Sequence, residues 1–211
     1  MAIFRYTSRE TDYLSRRDPV LGDAIRRIGP LEREMMPDLF QALAHSIVGQ
    51  QITDKAARTV WGRLEVLCGG VTPAAVAAQS EESLRGCGMS QRKVSYLQGA
   101  AAAALNGTLA AEHFAPLSDE EVIRQLTDLP GVGRWTAEML MLFSLGRPDV
   151  VSFGDLAIRR GIMRLYGLSH LTRQEFLTLR ACWSPYGSVA SFYLWAVAHD
   201  ERWAENATPT P

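Results

Sequence analysis

Leu129-Pro130-Gly131-Val132-Gly133 lies between two stretches of helical pattern, and its reading decides the fold. Upstream, Ser118 with Glu121 forms a capping box, which predicts a helix running to about Thr127. Downstream, the pattern is helical from Arg134 to Leu145 and ends at Gly146-Arg147-Pro148. Gly131 and Gly133 can both take positive φ and leave the backbone uncovered. The second helix starts at once, so its N–H groups and dipole point into the turn. The result is an anion site of phosphate size that needs no side-chain charge. A plain helix-to-helix turn with glycine for tightness is the simpler alternative. The full five-residue pattern between two amphipathic helices favours a grip on a nucleic-acid backbone.

Outward from this hairpin the chain reads as helix. Asp18-Pro19 is an N-cap followed by proline, Leu21, Ile25 and Ile28 repeat at helical spacing, and Gly29-Pro30 stops the run. Phe40, Leu43 and Ile47 mark a second helix, broken at Gly49-Gln50-Gln51-Ile52. Thr53 can cap a third, with Ala57, Val60, Leu64 and Leu67 on one face, ended by Gly69-Gly70. Thr72-Pro73 and Ser80 start two short helices. After the turn Gly86-Cys87-Gly88-Met89, Ser90 caps a helix closed by Asn106-Gly107. Thr172 with Glu175 is another capping box, and Tyr186 to about His199 is the last long helix. Val150-Val151-Ser152-Phe153 is the nearest thing to a strand and is too short to seed a sheet. The tail from Glu205 is polar, with two prolines, and should fray. The fold class expected is all-α.

Composition narrows the function. At 211 residues, 47% hydrophobic and 21% charged, the chain is an ordinary globular one. No apolar run approaches the ~18 residues that span a bilayer, and Met1-Ala2-Ile3-Phe4-Arg5-Tyr6 is no secretory signal. Cys68, Cys87 and Cys182 are isolated, which disfavours zinc, an iron–sulfur cluster and a disulfide framework. A net charge of −1 argues against a protein that coats nucleic acid, but not against a focused site. Lys55 and Lys93 are the only lysines among 22 basic residues. A cytoplasmic location is expected, with the bacterial nucleoid or a eukaryotic nucleus as the place of work.

Asp155 follows Gly154 and precedes Leu156, Ile158 and Ile162, where a new helix should begin. Its plain role is an N-cap. With the hairpin upstream it is also the candidate for chemistry. Gly49-Gln50-Gln51-Ile52 suits a loop that fills the gap left by an extruded nucleotide, or is merely a helix-breaking turn. Met89-Ser90-Gln91-Arg92-Lys93 joins a helix N-terminus to two cations and suits a phosphate of the opposite strand, or is a solvated cap. Trp135, Trp183, Tyr186, Tyr193 and Trp195 sit at helical spacings that usually mean core. Trp135 or Trp195 can instead wall a pocket for a flat, cationic base.

These motifs together resemble the helix-hairpin-helix DNA glycosylase superfamily. The likeness rests on Leu129-Pro130-Gly131-Val132-Gly133-Arg134-Trp135-Thr136-Ala137 with Gly154-Asp155, on Ile47-Val48-Gly49-Gln50-Gln51, on Gly88-Met89-Ser90-Gln91-Arg92-Lys93, and on Trp183-Ser184-Pro185-Tyr186 through Leu194-Trp195. It runs from about Pro37 to His199 and is greatest for the alkylation-repair branch, the DNA-3-methyladenine glycosylase II type. The resemblance implies two helical lobes with a DNA-binding cleft: residues 37–147 with the helix-hairpin-helix at about 118–145, and residues 1–36 with 148–211. It implies Asp155 as the catalytic carboxylate and a base pocket at Trp135, Trp195 and Met139. Double-stranded DNA with damaged bases would meet Gly131, Val132, Gly133, Arg134 and Thr136, the loop residues Gln50, Gln51 and Ile52, and Ser90 and Lys93. No cofactor is required; a structural Na+ or K+ can sit on the carbonyls of Thr127, Leu129 and Val132. Members that also cut the strand carry a lysine where this chain has Trp135, so base removal without lyase activity is expected, from a monomer. A catalytically silent damage-binding protein, or a glycosylase for another lesion class, are the alternatives.

Overall fold

The computed structural model describes residues 2–203; the polar tail from Glu205 lies outside them. A two-residue strand β1 (Ala2–Ile3) leads into α1 (Ser8–Arg17) and α2 (Pro19–Ile28), and β2 (Glu34–Met35) then pairs antiparallel with β1. Next come α3 (Leu39–Gly49), α4 (Asp54–Cys68), α5 (Pro73–Ala77), α6 (Glu81–Gly86), α7 (Gln91–Leu105), α8 (Ala111–Phe114), α9 (Asp119–Thr127) and α10 (Arg134–Phe143). The chain closes with α11 (Leu156–Tyr166), α12 (Arg173–Trp183), α13 (Gly187–His199) and a 3-10 turn at Glu201–Trp203. No helix among the described residues is long and apolar enough to cross a membrane.

Local chemistry accounts for most of the boundaries. The side chains of Asp18, Thr53, Thr72, Ser80 and Ser90 each accept a first-turn N–H of the helix that follows. Capping boxes start α9 (Ser118, Glu121) and α12 (Thr172, Glu175). The helices that hydrophobic spacing does not announce are α1 and the single-turn α8. In α1 the sequence SRETDYLSRR buries only Leu14, and its signal is a third capping box, Thr7 with Glu10.

The chain divides into two compact units, Met36–Leu145 and Met1–Met35 with Gly146–Pro211. In the continuous unit, α3 packs on α4, α7 and α10. Its Leu43 and Ile47 are buried with Leu64, Val94, Leu97, Leu126 and Met141. Each such side chain contributes about 1.5–3 kcal/mol by leaving water. In the discontinuous unit, α13 is apolar nearly all round and packs against α1, α2, α11 and α12. Gly161 lets α11 approach α13 backbone to backbone, since a Cβ there would stand 2.1 Å from the Leu194 carbonyl oxygen. Below this packing, Asp18 caps α2 through one oxygen and accepts the Trp183 indole N–H on the other at 2.7 Å. Tyr166 also donates to that second oxygen.

Candidate functional site

Asp155 belongs to the discontinuous unit, at the end of a segment stitched to α13. Ser188 and Ser191 are fully buried in that apolar helix. The Ser188 hydroxyl accepts the Val150 N–H at 3.0 Å and donates to the Arg147 carbonyl, and Ser191 donates to the Val150 carbonyl at 2.8 Å. In the stretch that came nearest to a strand, both backbone groups of Val150 therefore take helix serines as partners in place of a neighbouring strand. Asp149 accepts the Gly187 N–H at 3.0 Å and the Ser184 hydroxyl at 2.7 Å, and so caps α13. Phe153 lies under the Arg159 and Arg173 guanidinium groups, 5.1 and 5.5 Å from its centroid, and edge-on to Phe176.

These contacts deliver Asp155 to the start of α11, where it is only 8% exposed. Its Oδ1 accepts the Ile158 N–H at 2.9 Å and the Trp195 indole N–H at 3.1 Å. Asp155 is thus the N-cap that its position predicts and is also oriented by a side chain from α13. Trp195 is half-buried, its ring tilted against Phe192 at 6.2 Å. Sequence reading missed the serines, Asp149 and Gly161. Their signals are present: two hydroxyls in an apolar helix, and a glycine inside a helix, where it costs about 1 kcal/mol against alanine.

The hairpin belongs to the continuous unit. Gly131 takes φ +84°, and a Cβ there would lie 2.2 Å from the Tyr96 ring, so both conformation and space demand glycine. Gly133 departs from expectation, since its φ is −89°. It is not needed for a left-handed turn. It starts α10 with no side-chain cap, the first helical bond being Ala137 N–H to its carbonyl at 3.0 Å. Val132 and Thr136 are buried, and Met139 is half-buried. Trp135 is 46% exposed and lines a cavity of about 490 Å³ with His45, Ser46, Gly49, Gln50 and Gln51.

The charged candidates here are engaged within the unit. Arg134 donates to Glu120 at 2.9 Å and Glu138 at 3.0 Å, which holds its guanidinium above the usual arginine range. The Lys93 ammonium donates to the Val48 carbonyl at 2.8 Å, and desolvation holds it below the usual lysine range. The Ser90 hydroxyl accepts the Lys93 N–H. Gln50 turns its amide onto the Gly131 carbonyl at 2.9 Å. Gln51 and Ile52 form the exposed tip, and Gln51 takes φ +59°, a conformation that costs about 1–2 kcal/mol without glycine. Arg92 rests on the Tyr96 hydroxyl at 2.9 Å. Sequence could name these cations but not the carboxylates and carbonyl that engage them.

The fold is almost entirely helical, with an uncapped hairpin helix in one unit and a buried carboxylate at a helix start in the other. Residues 44–186 match the HhH-GPD superfamily base excision DNA repair protein family, and the chain belongs to that superfamily. DNA-3-methyladenine glycosylase 1 of Schizosaccharomyces pombe is 35% identical over 161 residues, 74% of this chain and 71% of that protein. A solved DNA-3-methyladenine glycosidase from Bacillus halodurans superposes with a TM-score of 0.88 at 36% identity, covering 96% of this chain and 94% of its own. The S. pombe enzyme Mag1, solved with abasic DNA, gives a TM-score of 0.75 at 31% identity, covering 89% and 95%.

Proposed function

We propose that this protein is a monofunctional DNA glycosylase that hydrolyses the N-glycosidic bond of alkylated purines, 3-methyladenine-type lesions, in base excision repair. The observation that carries this reading is Asp155, buried at a helix start with two N–H donors on one oxygen. A purine alkylated on a ring nitrogen is already cationic and leaves readily. The remaining task is to stabilise an oxocarbenium-like sugar, or to orient water, with a fixed carboxylate where charge is poorly screened. The bare start of α10 would hold a backbone phosphate. The Gly49–Ile52 tip would fill the gap in the stack, and the half-exposed Trp135 ring offers a flat apolar face to a cationic base.

The residues suit the monovalent cation that the family resemblance implies. Thr127 ends α9, so its carbonyl lacks a helical donor. The Leu129 carbonyl takes only the Val132 N–H, at 3.1 Å, and keeps a second lone pair. Together with the Val132 carbonyl they would bind Na+ or K+, which would add positive charge beneath a phosphate.

The test is release of free base from methylated duplex DNA. Asp155→Asn should lose it by 10²-fold or more while binding abasic-analogue DNA within about threefold of wild type, about 0.6 kcal/mol. Full release by that variant overturns the assignment. A lesion panel in the same assay separates alkylated from deaminated and oxidised bases. The reading includes no lyase step, because the family resemblance puts Trp135 where strand-cutting members carry a lysine. Borohydride reduction during turnover should trap no protein–DNA adduct, and a trapped adduct would refute that part of the reading.

A further inference from the structure

We propose that Lys93 is a positioning residue that sets the Gly49–Ile52 loop for insertion into DNA, and is not a phosphate ligand. The argument starts at the end of α3. Gly49 is its last residue, and the Gln50 N–H still bonds to the Ser46 carbonyl. Had the helix run on, the Ile52 N–H would have reached the Val48 carbonyl. Instead the Ile52 N–H turns back to the Gly49 carbonyl at 3.4 Å, and the Lys93 ammonium takes its place on Val48 at 2.8 Å. A cation at a helix C-terminus is favoured by the dipole as well as by the orphaned carbonyl. On the other side of the tip, the Gln50 amide holds the Gly131 carbonyl of the hairpin.

Gln51 stands between these two anchors. It is the one non-glycine with positive φ among the described residues. Strain of this kind persists where the surroundings over-determine it. Here a lysine from α7 and a carbonyl from the hairpin do so. The choice of residue fits this role. The chain uses lysine at only two positions and arginine elsewhere. A compact ammonium on a flexible stem suits a single carbonyl at a helix end. The Lys93 backbone is fixed too, since its N–H meets the Ser90 cap. Through Gln50, the loop that enters the stack is tied to the hairpin that would grip the backbone.

Only the kinetic arm of the test rests on the functional reading above. In Lys93→Met, amide exchange across residues 49–53 of the free protein should quicken by at least tenfold, with exchange in α13 unchanged. Binding to an abasic-analogue duplex should keep its salt dependence. Single-turnover base release at saturating enzyme should fall at least tenfold while Kd moves less than threefold. A phosphate ligand gives the opposite pattern: the slope of log K against log salt shrinks by about 0.9, with loop exchange and saturated rate unchanged, and that result overturns the proposal. Unchanged exchange at 49–53 overturns it by itself. Lys93→Gln, which keeps a shorter neutral donor, is read in the same way should the methionine variant fail to fold. If wild type releases no base from methylated DNA, the functional reading fails, while the exchange and salt measurements still decide the role of Lys93.

Discussion

Two helix starts in this chain are built in opposite ways. At α11 a buried aspartate covers the first turn and is held there by an indole from α13. At α10 a glycine stands where a cap would be, and no side chain makes a capping hydrogen bond. A helix N-terminus attracts negative charge in both cases. In α11 the protein supplies that charge itself and can use it on a sugar cation. In α10 it leaves the place open, and a DNA phosphate can supply it. Under the function proposed above, one start would serve chemistry and the other grip, with the same backbone dipole beneath each.

The largest effects should come from exchanging or removing these features. Asp155→Asn and Asp155→Ala should lose base release equally, since both remove the negative charge. They should differ in stability: asparagine still caps α11, whereas alanine costs about 1 kcal/mol, which thermal melts resolve. Equal melting of the two would break the claim that Asp155 serves both roles. Next in size is the glycine pair. Gly131→Ala forces a left-handed alanine against the Tyr96 ring and should cost about 2 kcal/mol or more, a Tm loss of about 4–8 °C. Gly133→Ala meets open space at an ordinary φ and should cost less than about 1 kcal/mol.

Gly133→Asp converts the open start into a closed one. It should raise stability by about 0.5–1 kcal/mol and weaken DNA binding about tenfold, or about 1.4 kcal/mol. Unchanged affinity would place the phosphate elsewhere. The smallest effect concerns the conventional starts of α9 and α12. Hydrogen bonds from the Ser118 side chain and backbone hold the Glu121 carboxyl below its usual range, and the Thr172 backbone and side chain do the same for Glu175. A depressed acid stabilises above its unfolded pKa and loses that contribution as pH falls through the folded one. Tm should therefore hold from pH 7 to about pH 5 and decline below about pH 4. Glu121→Gln with Glu175→Gln should flatten part of that decline, because glutamine keeps the box and does not titrate.

The caps were readable because capping is a local matter. Thr53, Ser90, Ser118 with Glu121, and Thr172 with Glu175 act on N–H groups within a turn of themselves. The hairpin and Asp155 were readable for the same reason. At Gly133 sequence could see the missing side chain but not the backbone angle. At Arg134 and Lys93 it could see charge but not the carboxylates and carbonyl that already engage it. α1 went unread because Tyr13 and Leu14 are its only large apolar residues, too few for a spacing of apolar side chains to stand out.

By itself, then, the sequence determined a mostly helical chain, the places where most of its helices start and stop, a glycine hairpin, and a lone aspartate at a helix start. These depend on contacts within a few residues, which the order of side chains dictates. Tertiary structure decided what those features face: Trp195 on Asp155, Ser188 and Ser191 under the Val150 segment, Tyr96 against Gly131, and Lys93 on Val48. Each of these joins residues far apart in the chain. Only packing brings them within hydrogen-bonding or van der Waals reach, and a polar group takes whatever partner burial puts beside it.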